Sequence, residues 1–282
     1  MKLVPITDLL DHARKNRYAV GGFNIFNLEM VNPILRAADT ERSAVAIQVY
    51  SGDLENINGE YIAAMTGVAA QELSVPVALH LDHGASYEIA MKCIRWGFSS
   101  IMVDLSRSNF EENIKYTKKV VREAHKRGVS IEAELGEIYN GRDPVDKQKS
   151  SLTDITRAVR FVSETGVDAL AVSIGTAHGV YTYGPDIDYK RLETLSKQLP
   201  VPIVVHGGSY IPDKAVIKMV QMGVAKINIG TELMFAFYEG LRDSVKKAEK
   251  DLFPRNVLDK AHKKVEELTI KKIRLFNTLR VK

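Results

Sequence analysis

The chain has 282 residues, of which 45% are hydrophobic and 26% are charged, and its formal net charge is +4. This composition is ordinary for a globular protein in water. The most basic stretch, KKIRLFNTLRVK near the C-terminus, contains no nucleic-acid-binding motif, and a solvated helix face is its expected role. No apolar run reaches the roughly 18 residues that a membrane span needs. We therefore expect neither a nucleic acid nor a membrane as a partner.

Cys93 is the only cysteine, so the chain cannot form an intramolecular disulfide. It lies in the helical pattern EIAMKCIRWG, where a buried thiol is the expected role. The N-terminal segment MKLVPITDLLDHARKN has neither the apolar core nor the cleavage site of a signal peptide. These features predict a cytoplasmic protein.

Eight short apolar runs recur along the chain and predict strands. In chain order they are residues 18–26, 44–50, 76–83, 99–106, 130–136, 169–175, 202–208 and 225–230. Between them lie helical patterns such as EENIKYTKKVVREAHKRG at 111–128, which has apolar residues at helical spacing and a closing glycine. Continuous apolar strands that alternate with helices indicate a parallel sheet covered by helices.

Eight such units in one domain, residues 1–282, predict a closed (β/α)8 TIM barrel of the α/β class. A doubly wound open sheet is the alternative, but no GxGxxG sequence follows the first strand. Two further helical stretches, 231–250 and 256–276, exceed what closing the barrel requires. They would cover one end of the barrel or join a partner subunit, and they favour a homodimer or homotetramer.

Four of the seven histidines fall at the ends of predicted strands, where a barrel places its active-site residues. These four are His80, His83, His178 and His206, whereas His12, His125 and His262 lie in helical segments. Three imidazoles that converge from separate strands and leave a coordination position open suit catalytic zinc better than magnesium, which prefers oxygen. His83, His178 and His206 are the predicted zinc ligands.

Acidic residues accompany these histidines. His80 lies three residues before His83, so strand alternation should turn it to the opposite face, where it would support the site without binding metal. Asp82 would either orient a histidine or transfer a proton to a substrate oxygen. Glu134 is a second catalytic candidate that shares a strand face with Glu132. Alternatively, one of the two glutamates is a satisfied carboxylate inside the barrel.

Glycines and small hydroxyl residues cluster after the last three strands. The segments are 178–179 (HG), 206–209 (HGGS) and 228–231 (NIGT). Bare backbone N–H groups and helix N-termini at this position of a barrel commonly bind phosphate. Each glycine alone could equally be a turn residue. Together, beside a metal, they predict a phosphorylated substrate.

At these residues the sequence resembles the class II, zinc-dependent ketose-bisphosphate aldolases, the fructose- and tagatose-bisphosphate enzymes. The resemblance is carried by ALHLDHG (78–84), IEAELG (131–136), SIGTAHG (173–179), VVHGGS (204–209) and KINIGTE (226–232). It implies a TIM-barrel lyase that reversibly cleaves a ketose 1,6-bisphosphate to dihydroxyacetone phosphate and an aldehyde phosphate. Fructose 1,6-bisphosphate is the first candidate, and a tagatose-bisphosphate or related ketose-phosphate aldolase is the alternative.

The resemblance also implies roles for individual residues. It implies zinc on His83, His178 and His206, with a monovalent cation as an additional candidate ion. It implies proton transfer by Asp82, and it places Glu134 near the metal. The positions that match the phosphate site for dihydroxyacetone phosphate are Gly179, Gly207, Ser209, Asn228 and Thr231, and Asn24 in GGFN matches a substrate-facing asparagine. In the implied chemistry the metal polarises the ketone oxygen of a small sugar phosphate.

One loop departs from the family pattern, which continues after IEAELG with a Gly-Gly pair and an acidic pair on a mobile loop. Here residues 137–151 read EIYNGRDPVDKQKSS, with Arg142 where glutamate is expected and Asp143 beside it. We expect a stiffer loop, Asp143 as the acidic candidate for proton donation, and Arg142 as a candidate for binding the distal phosphate. Tyr210 also stands where glycine is usual.

Two other functions stay open on the sequence alone. Lys226, near a strand end, could form a Schiff base, although an ion-paired lysine is the simpler role because the metal set is complete without it. A non-catalytic protein that binds zinc and a sugar phosphate would keep these sites and lose activity through the altered loop.

Overall fold

The computed structural model describes residues 3–247 and 253–278. Its eight strands are parallel and close into a barrel in sequential order, which confirms the predicted TIM barrel. The strands are β1 (Val20–Asn24), β2 (Val45–Tyr50), β3 (Val77–Gly84), β4 (Ser100–Val103), β5 (Ser130–Leu135), β6 (Ala169–Val172), β7 (Ile203–Val205) and β8 (Val224–Ile229). Because the order is sequential and the barrel is closed, β4 lies across the mouth from β8.

A helix precedes β1, and further helices follow the strands and cover the barrel. Within the described residues they are α1 (Ile6–Lys15), α2 (Val31–Thr40), α3 (Gly59–Ala69), α4 (Tyr87–Trp96), α5 (Phe110–His125), α6 (Val145–Ser150), α7 (Ile155–Thr165), α8 (Tyr189–Gln198), α9 (Asp213–Gln221), α10 (Thr231–Lys247) and α11 (Pro254–Phe276). Side-chain caps fix several starts: the Asn109 side chain, for example, accepts a hydrogen bond from the backbone N–H of Glu112 at the start of α5. None of the helices in the described ranges is long and apolar enough to cross a membrane.

The buried residues form two layers, one on each face of the strands. Outward-facing side chains such as Phe23 and Ile47 are fully buried beneath the helices. Inside the barrel, the end nearest the strand N-termini is filled by Met102 and by small side chains, including Ala46, Ala78, Ala169 and Ala171. Four buried side chains of α1 close this end. The polar interior residues therefore lie above an apolar floor, toward the mouth.

The two additional C-terminal helices are present as predicted. α10 and α11 correspond to the expected stretches 231–250 and 256–276, although residues 248–250 lie outside the described part of the chain. A Cβ on Gly240 would lie 2.4 Å from the Cα of Ala261, so glycine permits the close contact between the two helices. Lys272 of α11 pairs with Glu232 of α10 at 2.5 Å. Both helices thus pack on each other and on the barrel.

Three strands end three residues earlier than the sequence predicts. β4, β6 and β7 stop at residues 103, 172 and 205, whereas the apolar runs extend to 106, 175 and 208. Beyond these points the backbone hydrogen bonds no longer follow the strand register of the sheet. Ser173 N–H donates to the Thr153 hydroxyl at 2.8 Å, and Gly208 N–H donates to the Asn228 carbonyl at 2.9 Å. The chain therefore turns into the mouth at the polar residues.

Candidate active site at the barrel mouth

Three histidines from three strand ends converge at the mouth. One ring nitrogen from each of His83, His178 and His206 lies within 4.8 Å of the other two. His83 Nε2 and His206 Nδ1 are 3.1 Å apart. The buried Nε2 of His178 has no hydrogen-bond partner among the described residues. Three imidazole nitrogens that face one point, one of them without a partner, fit a transition-metal ion.

The backbone at His83 explains how two consecutive side chains reach this site. Its φ is +50°, in the left-handed region, and the β3–β4 register shifts between Leu81 and Gly84. This break in strand alternation brings both Asp82 and His83 to the mouth. The expectation that His80 faces away from His83 is therefore wrong, because alternation does not continue through a left-handed residue. Such a conformation costs about 1–3 kcal/mol and is typical of functional sites.

A buried polar network lies beneath His206. One Glu132 oxygen is 3.0 Å from His206 Nε2, and the other accepts a hydrogen bond from Lys226 Nζ at 2.8 Å. His80 is fully buried in the same network, with Nδ1 2.8 Å from the Ser100 hydroxyl. Glu132 is therefore the satisfied carboxylate of the glutamate pair. Because its oxygen occupies His206 Nε2, His206 presents Nδ1 to the other two histidines.

Asp82 is held by two side-chain amides. Asn24 Nδ2 donates to one carboxylate oxygen at 2.7 Å, and Asn228 Nδ2 lies 3.3 Å from the other. Gln48 Nε2 in turn donates a hydrogen bond to Asn24 Oδ1 at 3.1 Å. A Cβ on Gly22 would lie 2.1 Å from the Gln48 amide oxygen, so this cluster requires glycine in GGFN. Burial opposes the charge of Asp82, but the nearby rings of His83 and His206 lower its pKa.

Asp104 and Glu134 form a second donor group with His83. Asp104 Oδ2 is 2.6 Å from His83 Nδ1, and Glu134 Oε2 is 4.0 Å from the same atom. Burial and the charge of Asp104 raise the pKa of Glu134 to about 8. The sequence prediction missed Asp104, although it falls in the run SSIMVDLS at a strand end, where polar residues carry the site.

The carboxylates around His83 favour a positive charge at this position. Burial opposes protonation of this ring, but the charge of Asp82 and the hydrogen bond to Asp104 raise its pKa to about 10. Burial and the charge of His83 lower the pKa of His178 to about 4. The neutral His178 ring is the form that can ligate a metal, and the carboxylates would stabilise a bound cation.

Small residues form the wall of the mouth at the ends of β6 to β8, on the side away from Asp104 and the end of β4. Gly207 has a φ of +67°, and a Cβ there would lie 2.2 Å from the Ala177 carbonyl oxygen, so only glycine fits. The Ser209 hydroxyl accepts a hydrogen bond from Glu232 N–H in the first turn of α10. Tyr210 has a φ of +61°, which explains why glycine is usual at this position.

These groups surround one cavity of about 560 Å³ at the barrel mouth. All the predicted site residues except Asp143 line it: Asn24, Asp82, His83, Glu134, His178, Gly179, His206, Gly207, Ser209, Asn228 and Thr231. Lys226 does not line this cavity, because its side chain is fully buried below it and is paired with Glu132. The geometry therefore gives no support to a Schiff base.

The atypical loop 137–151 runs beside His178 and is bonded to it. His178 N–H donates to the Tyr139 carbonyl at 2.8 Å, and Gly141 N–H donates to the His178 carbonyl at 2.7 Å. Asp143 Oδ2 accepts a hydrogen bond from Asn140 N–H at 2.9 Å, which places it at a turn of the loop. Arg142 is exposed and does not line the central cavity. These contacts fasten the loop to a predicted metal ligand.

A parallel barrel with clustered histidines, a buried carboxylate and a glycine-rich wall at its mouth is typical of metal-dependent enzymes of the TIM-barrel class. The chain belongs to the class II fructose-bisphosphate aldolase family, whose model matches residues 4–279. It is therefore an aldolase, a lyase that acts on a carbon–carbon bond, and its family is generally metal-dependent.

Relatives match over nearly the whole chain. A fructose-bisphosphate aldolase from Staphylococcus aureus is 39% identical over 99% of this chain and 98% of its own length. Another from Thermus caldophilus is 37% identical over 98% of this chain and 99% of its own length. Among solved structures, the YdjI aldolase from Escherichia coli K12 has a TM-score of 0.86 and 33% identity, with 97% of each chain covered. These similarities confirm the fold and the enzyme class predicted from the sequence.

Proposed function

We propose that the protein is a zinc-dependent aldolase that reversibly cleaves fructose 1,6-bisphosphate to dihydroxyacetone phosphate and glyceraldehyde 3-phosphate. The convergence of His83, His178 and His206 beside Asp82 carries this proposal. An all-nitrogen donor set is typical of zinc, and Asp104 and Glu134 provide the adjacent oxygen donors. The names of the full-length relatives support the choice of fructose over tagatose bisphosphate.

The residues around the metal position have distinct tasks. When bound, zinc would supply Lewis-acid polarisation of the substrate's ketone oxygen. Asp82 would accept the proton of the C4 hydroxyl as the C3–C4 bond breaks, which releases the aldehyde. Asn24 and Asn228 hold the Asp82 carboxylate in position for this transfer. Its lowered pKa keeps Asp82 ionised and ready to act as a base.

The wall formed by β6 to β8 would hold the C1 phosphate. Gly179 and Gly207 leave space for close approach of an anion, and Ser209 and Thr231 add hydroxyl groups. The N-terminus of α10, which begins at Thr231, adds a favourable dipole. This wall would orient the ketone end of the substrate toward the three histidines.

The electron pair of the broken bond stays on the three-carbon ketone fragment, which must take up a proton at C3. Glu134 and Asp143 are the candidate donors. Glu134 lines the cavity beside His83, whereas Asp143 lies outside the central cavity on the loop bonded to His178. Transfer from Asp143 would require the loop to move toward the mouth.

A substrate panel tests the proposed reaction. Metal-loaded protein would be assayed for cleavage of fructose 1,6-bisphosphate, tagatose 1,6-bisphosphate and fructose 1-phosphate. We expect the highest kcat/KM for fructose 1,6-bisphosphate. A higher value for tagatose 1,6-bisphosphate would show that this sugar, and not the fructose isomer, is the substrate. The two sugars differ at one stereocentre, which a few contacts can distinguish.

The metal is tested separately by elemental analysis and chelation. We expect chelation to abolish activity and zinc to restore it. His83→Ala, His178→Ala and His206→Ala should each lose the metal, while His125→Ala should retain it because His125 lies on the outer surface beside Asp168. Undiminished zinc in any one of the three site variants would remove that residue from the ligand set.

The predicted cytoplasmic location and homodimeric or homotetrameric assembly stay predictions, to be checked by fractionation and light scattering.

A further inference from the structure

The cavity has two ends, set by the strand order of the closed barrel. The small residues proposed to hold phosphate lie at the ends of β6, β7 and β8. The loop after β4 lines the opposite side of the same cavity with Leu105, Ser106, Arg107 and Ser108. A substrate whose phosphate lies at the first wall and whose ketone lies at the histidines would extend its far end toward this β4 loop.

Arg107 is the one lysine or arginine among the described residues that line the cavity. The other charged groups there are carboxylates and the histidines of the proposed metal site. Arg142, the arginine that the sequence suggested for the distal phosphate, is exposed and lies outside the cavity lining. An anionic group at the far end of the substrate would therefore meet Arg107 as its only permanent positive partner in this lining.

The turn that carries Arg107 is anchored to the metal site. Asp104 Oδ1 accepts hydrogen bonds from the Ser106 backbone N–H at 3.1 Å and from the Ser106 hydroxyl at 2.7 Å. The other Asp104 oxygen is 2.6 Å from His83 Nδ1, and Ser108 N–H closes the turn on the Leu105 carbonyl. The backbone of Arg107 is thus held relative to His83.

The Arg107 side chain already has a carboxylate partner. Its Nε lies 2.9 Å from Glu137 Oε1, and 79% of its side chain is exposed while Glu137 is 22% exposed. An exposed ion pair of this kind is weak, so a second anion can replace the carboxylate. The guanidinium group suits a phosphate or a carboxylate equally, because it can donate two parallel hydrogen bonds to either.

We propose that Arg107 binds an anionic group at the distal end of the substrate, and that Glu137 holds Arg107 until the substrate displaces it. The direction in which the substrate extends rests on the proposed function. Arg107 would then select aldehydes that carry a phosphate or carboxylate over neutral ones. Glu137 would lower the affinity for these anionic aldehydes, because it competes for the same guanidinium.

The test measures aldol condensation of dihydroxyacetone phosphate with three aldehydes: glyceraldehyde 3-phosphate, succinic semialdehyde and glyceraldehyde. The readout is the ratio of kcat/KM for each anionic aldehyde to that for neutral glyceraldehyde. Arg107→Ala should lower this ratio by about tenfold for the preferred anion, on the scale of a charge-assisted hydrogen-bonded pair. Arg122→Ala is the matched control, because Arg122 is an exposed arginine paired with Glu123 on α5 and should leave the ratio unchanged.

Glu137→Gln should have the opposite effect and raise the ratio of kcat/KM for the anionic aldehyde to that for glyceraldehyde. It should lower KM for the anionic aldehyde, and this gain should disappear when Arg107→Ala is also present. An unchanged ratio in Arg107→Ala for both anionic aldehydes overturns the proposal. If the wild-type enzyme prefers succinic semialdehyde and this preference depends on Arg107, the anion site stands and fructose 1,6-bisphosphate is rejected as the substrate.

Discussion

The buried ion pair beneath the proposed metal site makes a quantitative prediction. Lys226 and Glu132 are both fully buried, with Nζ 2.8 Å from Oε2. Lys226→Met keeps most of the side-chain volume but removes the charge. The Glu132 carboxylate would then keep His206 Nε2, 3.0 Å from its other oxygen, as its nearest partner in the network, with His80 Nε2 3.9 Å from Oε2.

The expected loss of stability follows from the burial of both groups. Breaking a buried ion pair from one side costs about 3–5 kcal/mol, because an uncompensated charge remains in a low-dielectric interior. Since His206 still contacts Glu132, we expect a loss near the lower limit, about 3 kcal/mol. Adding Glu132→Gln to Lys226→Met should recover part of this loss, because it removes the stranded charge.

Urea unfolding of the metal-free protein measures the effect. The matched control is Lys264→Met, which removes an exposed lysine paired with Glu239 at 3.1 Å and should shift the unfolding midpoint far less. Equal shifts for the two variants would refute the argument that burial gives the Lys226 pair its importance.

Borohydride in the presence of substrate should trap no adduct on Lys226. A covalent adduct there would establish the Schiff-base mechanism instead.

Four further predictions concern single residues. Asp82→Ala should retain zinc but lower kcat by about 10²-fold or more, and a near-normal kcat would contradict its role as a base. Asp143→Ala should lower kcat; if Asp143→Asn, which can still accept the Asn140 N–H, restores the rate, Asp143 positions the loop and does not donate a proton. Because Arg142 lies outside the cavity lining, Arg142→Ala should change KM less than about twofold. Burial raises the pKa of the Cys93 thiol to about 12, so a thiol reagent at pH 8 should react only after denaturation, and rapid reaction of the folded protein would be inconsistent with the buried thiol.

The sequence determined the architecture because the information is local. Eight apolar runs alternating with helical patterns suffice for a parallel barrel, and a barrel brings the ends of its strands together. The convergence of His83, His178 and His206 therefore followed from their positions after three different strands. The boundaries were less accurate, because the runs at β4, β6 and β7 continue in composition after the backbone has left the sheet.

Tertiary structure decided which side chains face which partners. Strand alternation predicts the wrong face for His80, because the left-handed backbone at His83 depends on contacts made after folding. The role of Asp104 was also missed from the sequence, because its partner His83 lies 21 positions away and the two meet only in the folded protein. Arg142 stood out in the sequence by replacing an expected carboxylate, yet Arg107 lines the cavity. Periodicity reports the face of an element that is buried, whereas the reach of a loop side chain depends on how several loops pack together at the mouth.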